Sequence, residues 1–154
     1  MPPNTFPRGV TPSTPSPTPG IPEAQVDVLM RLFNLRHEDR VDKAFHWFHT
    51  DYVNHPIHDF TEFKSYYPAG SQAHTHFWRI RHFYELAGVL IERGAMDEDL
   101  FFDLFGTPAI YWERFEDVVH DLRKVWNNPR LAENFQLLAE RGRRWEQSHP
   151  PKVR

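Results

Sequence analysis

Four histidines fall within thirteen positions of the stretch AFHWFHTDYVNHPIH, at 46, 49, 55 and 58. Asp42, His46 and His49 stand at i, i+4 and i+7, which places them on one face of a helix. Farther along, His74 and His76 form an H-x-H, and His82 stands one helical turn before Glu85. Imidazole and carboxylate groups at one-turn spacing are how helical bundles hold zinc, iron or manganese. Asp42, His46, His49, His82 and Glu85 are therefore a candidate set for a divalent metal, with two segments required to converge. Against that chemistry, the chain has neither H-E-x-x-H nor the paired E-x-x-H of di-iron bundles. His55 precedes Pro56, so its backbone is extended and belongs in a loop. Several of these histidines adjoin surface turns, where histidine is tolerated freely, which is the plainer reading; a pH-responsive surface is a weaker alternative.

A second pair of charges has a different logic. Glu85 lies between Trp78 and Val89 on an apolar line of the segment HFWRIRHFYELAGVLIERG, and Arg123 lies between Val119 and Trp126. A carboxylate among apolar neighbours needs a partner or a proton. The spacing predicts that Glu85 and Arg123 meet as a structural ion pair that fixes helix register. Other chemistry is poorly represented. There is no cysteine, and neither a nucleophile elbow nor a glycine-rich phosphate loop occurs. The carboxylates of MDEDL are explained by helix capping. No cofactor is expected, the divalent metal being the alternative.

The elements that must position these groups read as helices. Residues 26–35 and 37–52 carry apolar side chains at helical spacing, with Val41, Ala44, Phe45, Phe48 and Tyr52 on one face of the second. A short helix over 61–67 ends at Pro68. Ser71 opens a long helix over 72–93, with Phe77, Ile80, Tyr84, Ala87 and Ile91 as its stripe and Gly94 as its left-handed stop. Asp97 caps the next, which Gly106 closes. Thr107-Pro108 and Asn128-Pro129 each supply a cap followed by proline at the first helical position. The seam Tyr111, Phe115, Val118, Leu122, Val125 and the seam Leu131, Phe135, Leu138, Gly142, Trp145 predict a C-terminal antiparallel helical hairpin, with Gly142 permitting close backbone approach. The expected fold class is all-α, a single bundle of about six or seven helices over 23–148. Residues 1–22 hold eight of the fourteen prolines and read as a disordered Pro-rich tail, and 149–154 as a flexible end.

The segments FYELAGVLIERGAMDEDLFFDLFG, YWERF, DLRKVW and NPRLAENFQLLAERGRRW, within about residues 70–147, resemble an uncharacterised bacterial family known only as a domain of unknown function. The resemblance implies a helical fold and no known activity. The family's shared features would fall at Glu85, Gly88, Gly94, Asp97, Asp99, Trp112, Arg123, Pro129, Phe135 and Leu138. The family's Phe-Glu ending is Phe135-Gln136 here. Many members of such families carry an N-terminal membrane helix, where this chain has its proline-rich leader.

Composition bounds the function. A net charge of -3 offers no global attraction to nucleic acid or anionic membrane. The locally basic ending RGRRWEQSHPPKVR, with Trp145, is the one stretch suited to single-stranded nucleic acid. No apolar run reaches the roughly 18 residues that span a bilayer, and no signal-peptide pattern opens the chain. The expectation is a cytoplasmic, non-enzymatic helical protein that acts through a protein partner or as a homo-oligomer. Metal-dependent chemistry at the histidines is the alternative, and nucleic-acid binding the third reading.

Overall fold

The computed structural model describes residues 20–153. Most of the proline-rich segment, residues 1–19, lies outside the described residues, and with it the expectation of a disordered tail. The described chain is all-α: α1 (Glu23–Arg36), α2 (Asp39–Thr50), a single 3-10 turn (Tyr52–Asn54), α3 (Phe60–Tyr66), α4 (Gln72–Glu92), α5 (Glu98–Phe105), α6 (Ala109–Val125) and α7 (Glu133–Ser148).

Long-range packing is organised around α4, which lies against α2 on one side and α7 on the other. Its expected stripe of Phe77, Ile80, Tyr84, Ala87 and Ile91 is buried throughout. So is the face of α2 made by Val41, Ala44, Phe45 and Phe48, with Tyr52 just beyond the helix. Helix α1 buries only Leu29 and Leu32 and is the least anchored of the long helices. The interior is a lattice of rings. Phe115 of α6 meets Phe77 of α4 edge-on at 4.9 Å and Phe48 of α2 at 5.4 Å, the perpendicular arrangement favoured by ring quadrupoles.

Local chemistry sets several helix limits where the sequence places them. Ser71 accepts a hydrogen bond from the His74 amide, and Asp97 from that of Leu100. Gly94 takes φ +75°, which returns the Ala95 and Met96 amides to the Leu90 carbonyl and ends α4. Asp59 caps α3 in the same way through the Glu62 amide.

Two starts differ from expectation. Helix α6 begins at Ala109, after Pro108, and Thr107 does not cap it. The Thr107 hydroxyl instead donates to Glu146 near the end of α7, at 2.6 Å. Helix α7 begins at Glu133, four residues beyond the expected proline start. Asn128 folds into a turn in which its side chain accepts from the Arg130 amide, and Ala132 takes the left-handed conformation, φ 57°. That residue breaks any continuous helix from Pro129 and has no side-chain acceptor to offer the amides of α7. Helices α6 and α7 run antiparallel, as the pairs Arg123–Gln136 at one end and Arg143–Glu113 at the other require. Their seams are buried apart from Tyr111 and Trp145, which are half-buried, and Val125, which is 61% exposed. It is the last residue of α6, and the positive φ of Asn127 turns the chain away before α7 can cover it.

Candidate functional site

The most highly connected polar group is Glu85, in the middle of α4. Its Oε2 accepts from the Phe135 amide at 2.9 Å, and its Oε1 from the Asn134 side-chain amide at 3.0 Å and the Asn134 backbone amide at 3.4 Å. These donors belong to the first turn of α7, which Ala132 leaves uncapped. A helix N-terminus presents unpaired N–H groups and a partial positive charge, both of which a carboxylate satisfies. Glu85 therefore caps a helix that lies 49 residues away in the chain. One turn on, Gly88 makes that contact possible, because a Cβ there would stand 2.6 Å from the Asn134 carbonyl oxygen. The close backbone approach in this fold is at Gly88. At Gly142 the near neighbour is a side chain, with a Cβ falling 2.7 Å from the Thr107 Cβ.

Arg123 approaches the same turn from α6. Its Nε donates to the Leu131 carbonyl at 2.8 Å and its Nη1 to the Gln136 side-chain oxygen at 2.9 Å. Burial lowers its pKa from the usual arginine value, an effect opposed by the carboxylates of Glu133 and Glu85. Glu85 and Arg123 thus hold one structural feature, the start of α7, from opposite sides. They do not form the direct pair expected from sequence: among the described residues, no contact between them falls within ion-pair distance. The partners they found are backbone groups of residues 131–135 together with the uncharged side chains of Asn134 and Gln136, which no charge pattern in α4 or α6 reveals.

The histidines disperse. Asp42 pairs with Arg36 at 3.3 Å. His46 is exposed on α2. The His49 Nε2 lies 3.0 Å from the Tyr111 hydroxyl. His55 meets Asp51 at 3.1 Å, and Asp51 also accepts from the Tyr67 hydroxyl at 2.7 Å. His58 meets Glu62, and His74 meets the Tyr67 carbonyl. His82 is exposed on α4, and Glu85 beside it is committed to α7. Among the described residues, no three histidine, aspartate or glutamate side chains come together in a way that could hold a metal ion. The set Asp42, His46, His49, His82 and Glu85 is not assembled, because helical spacing fixes a face and not what that face meets.

A feature missed in the sequence lies where α3, α4 and the end of α6 converge. Trp78 and Trp126 stack at 5.5 Å with their planes 8° apart, and Phe60 stands edge-on to Trp126 at 6.1 Å. Trp126 remains 49% exposed beside the exposed Val125. Cations border the rings: Lys64 lies 4.8 Å above Phe60 and Arg81 lies 4.9 Å from the Trp78 ring. The Phe60 amide is fixed by Asp121 at 2.9 Å. Nothing local in the sequence distinguishes Trp126 from a core tryptophan such as Trp112, which is 1% exposed.

The basic C-terminal stretch, α7 and the residues after it, is largely matched within the molecule. Arg141 pairs with Glu92 and Glu98, Arg143 with Glu113, and Lys152 with Asp103. Trp145 donates to Asp99 at 2.7 Å and stacks on His149. No helix among the described residues is long and apolar enough to cross a membrane.

No curated protein and no solved structure matches the chain. A family model does, over residues 23–145, which takes in every helix but the last three residues of α7. On that match the chain belongs to the family described as Domain of unknown function (DUF4760).

Proposed function

We propose that this member of the DUF4760 family is a non-enzymatic binding module that acts through a protein partner in the cytoplasm. The partner presents an acidic, apolar segment to the corner formed by Phe60, Trp78 and Trp126. The observation that carries this reading is the half-exposed Trp126, stacked on Trp78 beside the exposed Val125. Tryptophan and arginine dominate the energetic centres of protein interfaces, where a rigid ring fills a partner's pocket. Lys64 and Arg81 on the rings give the corner a positive border. That border selects a partner with carboxylates around its apolar residues. The non-enzymatic part is supported by Glu85 and Arg123, whose polar atoms are engaged in holding α7. A metal-dependent protein would have to draw His49 from Tyr111 and Glu85 from α7 first.

The test is a photocrosslinking amino acid placed at Val125 in the native cell, with position 137 on the exposed side of α7 as control. One defined protein crosslinked from 125 alone, bound again after purification and lost with Trp126→Ala, is the expected result. Crosslinks only to a second copy of this chain would replace the hetero-partner with self-association. No crosslink, or equal products from both positions, would end the proposal.

A further inference from the structure

A second surface is independent of that corner. Between α2 and the first two turns of α4 lies a cleft of about 380 Å³ bordered by Arg40, Lys43, Thr75, His76 and Arg79. It adjoins a second compartment of about 440 Å³, in which Arg40 and Arg79 recur beside Val41, Phe83 and Leu86. The two compartments thus share a pair of guanidinium groups. Neither makes an ion pair among the described residues, whereas Lys43 meets Asp39 at 2.9 Å. Three cations therefore face the single carboxylate of Asp39 in the polar compartment. The His76 Nδ1 is buried beneath it with no hydrogen-bond partner, next to the equally unpartnered Trp47 Nε1. In the apolar compartment Leu86 is 42% exposed, and Glu38 stands at its border.

We propose that this cleft binds a small phosphate monoester, its phosphate between Arg40, Lys43 and Arg79 and its apolar body over Val41, Phe83 and Leu86. The charge balance suits a dianion, and planar guanidinium groups bind phosphate oxygens in pairs. Glu38 opposes a second acidic group on the ligand, so the remainder of the molecule must be neutral and apolar. Thr75 and Gln72, in the first turn of α4, add polar groups near a helix end already favourable to anions. His76 shares the cleft with Arg79, one turn further along α4, and with Lys43, Arg40 and Asp39 of α2. Burial, Arg79 and Lys43 together lower its pKa. A bound dianion offsets the two cations, so binding raises that pKa and draws in protons at pH values between the pKa of the free protein and that of the complex.

The experiment titrates the full chain with phenyl phosphate, inorganic phosphate, and vesicles containing phosphatidic acid, by calorimetry at low salt. One saturable site for phenyl phosphate is expected, about tenfold tighter than for inorganic phosphate, a ratio equal to about 1.4 kcal/mol of apolar contact. Arg40→Gln and Arg79→Gln should each weaken phenyl phosphate about tenfold or more. Leu86→Glu, on an exposed side chain that folding does not need, should remove the preference for phenyl phosphate over inorganic phosphate. The His76 ring signals should titrate at higher pH in the complex. Absence of phenyl phosphate binding, affinity unchanged in Arg79→Gln, or equal affinity for inorganic phosphate would overturn the proposal. Binding to vesicles without binding of the free ester would overturn it in favour of a membrane surface.

Discussion

Replacing Glu85 with alanine should cost this fold more than any other single polar substitution on α4. The Phe135 amide at 2.9 Å and the Asn134 side chain at 3.0 Å are full hydrogen bonds, while the Asn134 amide at 3.4 Å contributes little. Two charge-assisted bonds to a helix N-terminus, one of them from a buried residue, bring the loss to about 2–3 kcal/mol. The slightly better helix propensity of alanine returns only a few tenths of that, roughly 0.3 kcal/mol. Glu85→Gln keeps one acceptor and loses the charge, for a cost of about 1 kcal/mol. Urea unfolding followed by helical dichroism measures both values. A double-mutant cycle then identifies the partner. Glu85→Ala with Asn134→Ala should show a coupling of about 1 kcal/mol, and Glu85→Ala with Arg123→Gln about half as much, because the latter two meet only through the turn they share. A Glu85→Ala loss below about 0.5 kcal/mol, the range of ordinary surface substitutions, would refute the reasoning. So would a Glu85–Arg123 coupling larger than the Glu85–Asn134 coupling.

Gly88→Ala should destabilise by about 2–3 kcal/mol despite alanine's helical preference, since its Cβ would meet the Asn134 carbonyl oxygen at 2.6 Å and backbone cannot step aside; Gly142→Ala, whose Cβ would stand 2.7 Å from the Thr107 Cβ, an atom that moves only with its own backbone, should destabilise as well, and thermal unfolding measures both. Burial and its cationic neighbours lower the folded-state pKa of His76 from 6.5, so the unfolded chain takes the proton first: stability should be level above pH 6.5, fall as pH drops below it, and level off under the folded-state value. His76→Gln should flatten that part of the profile, and an unchanged profile would remove His76 as its source. With the histidines dispersed, untagged protein dialysed against zinc should carry well below one equivalent; stoichiometric zinc lost in a His46→Ala/His49→Ala variant would show that α2 and α4 rearrange to bind it.

What the sequence made legible was local. The α4 stripe, the caps at Ser71 and Asp97 and the stop at Gly94 depend on residues within a turn of one another, and all take the expected places. The start of α7 was misplaced because its cap comes from Glu85, a residue 50 positions from Phe135. Asn128-Pro129 offered a plausible local signal for a start that the left-handed Ala132 forbids. Thr107 does not cap α6 because the helix begins at Ala109, with Pro108 at the cap position and Thr107 one residue before it. Glu85 and Arg123 are legible as charges on apolar faces, but their partners are the Leu131 carbonyl, the Asn134 and Phe135 amides and the side chains of Asn134 and Gln136, none of which carries a charge that would mark it in the sequence. The metal set failed at the same level: Asp42, His46 and His49 do share a helix, yet Arg36 and Tyr111 are what Asp42 and His49 meet. Trp126 escaped notice because exposure belongs to the assembled fold and not to the residue type.

Amide hydrogen exchange at Phe135 tests most directly the claim that Glu85 of α4 caps α7. An amide in the first turn of a helix has no partner within that helix and exchanges rapidly unless something outside holds it. The Phe135 amide should therefore be protected well beyond a frayed helix end in the native protein, and lose that protection in Glu85→Ala while amides deep in α4 keep theirs. Rapid exchange at Phe135 in the native protein, or protection that survives Glu85→Ala, would contradict the account.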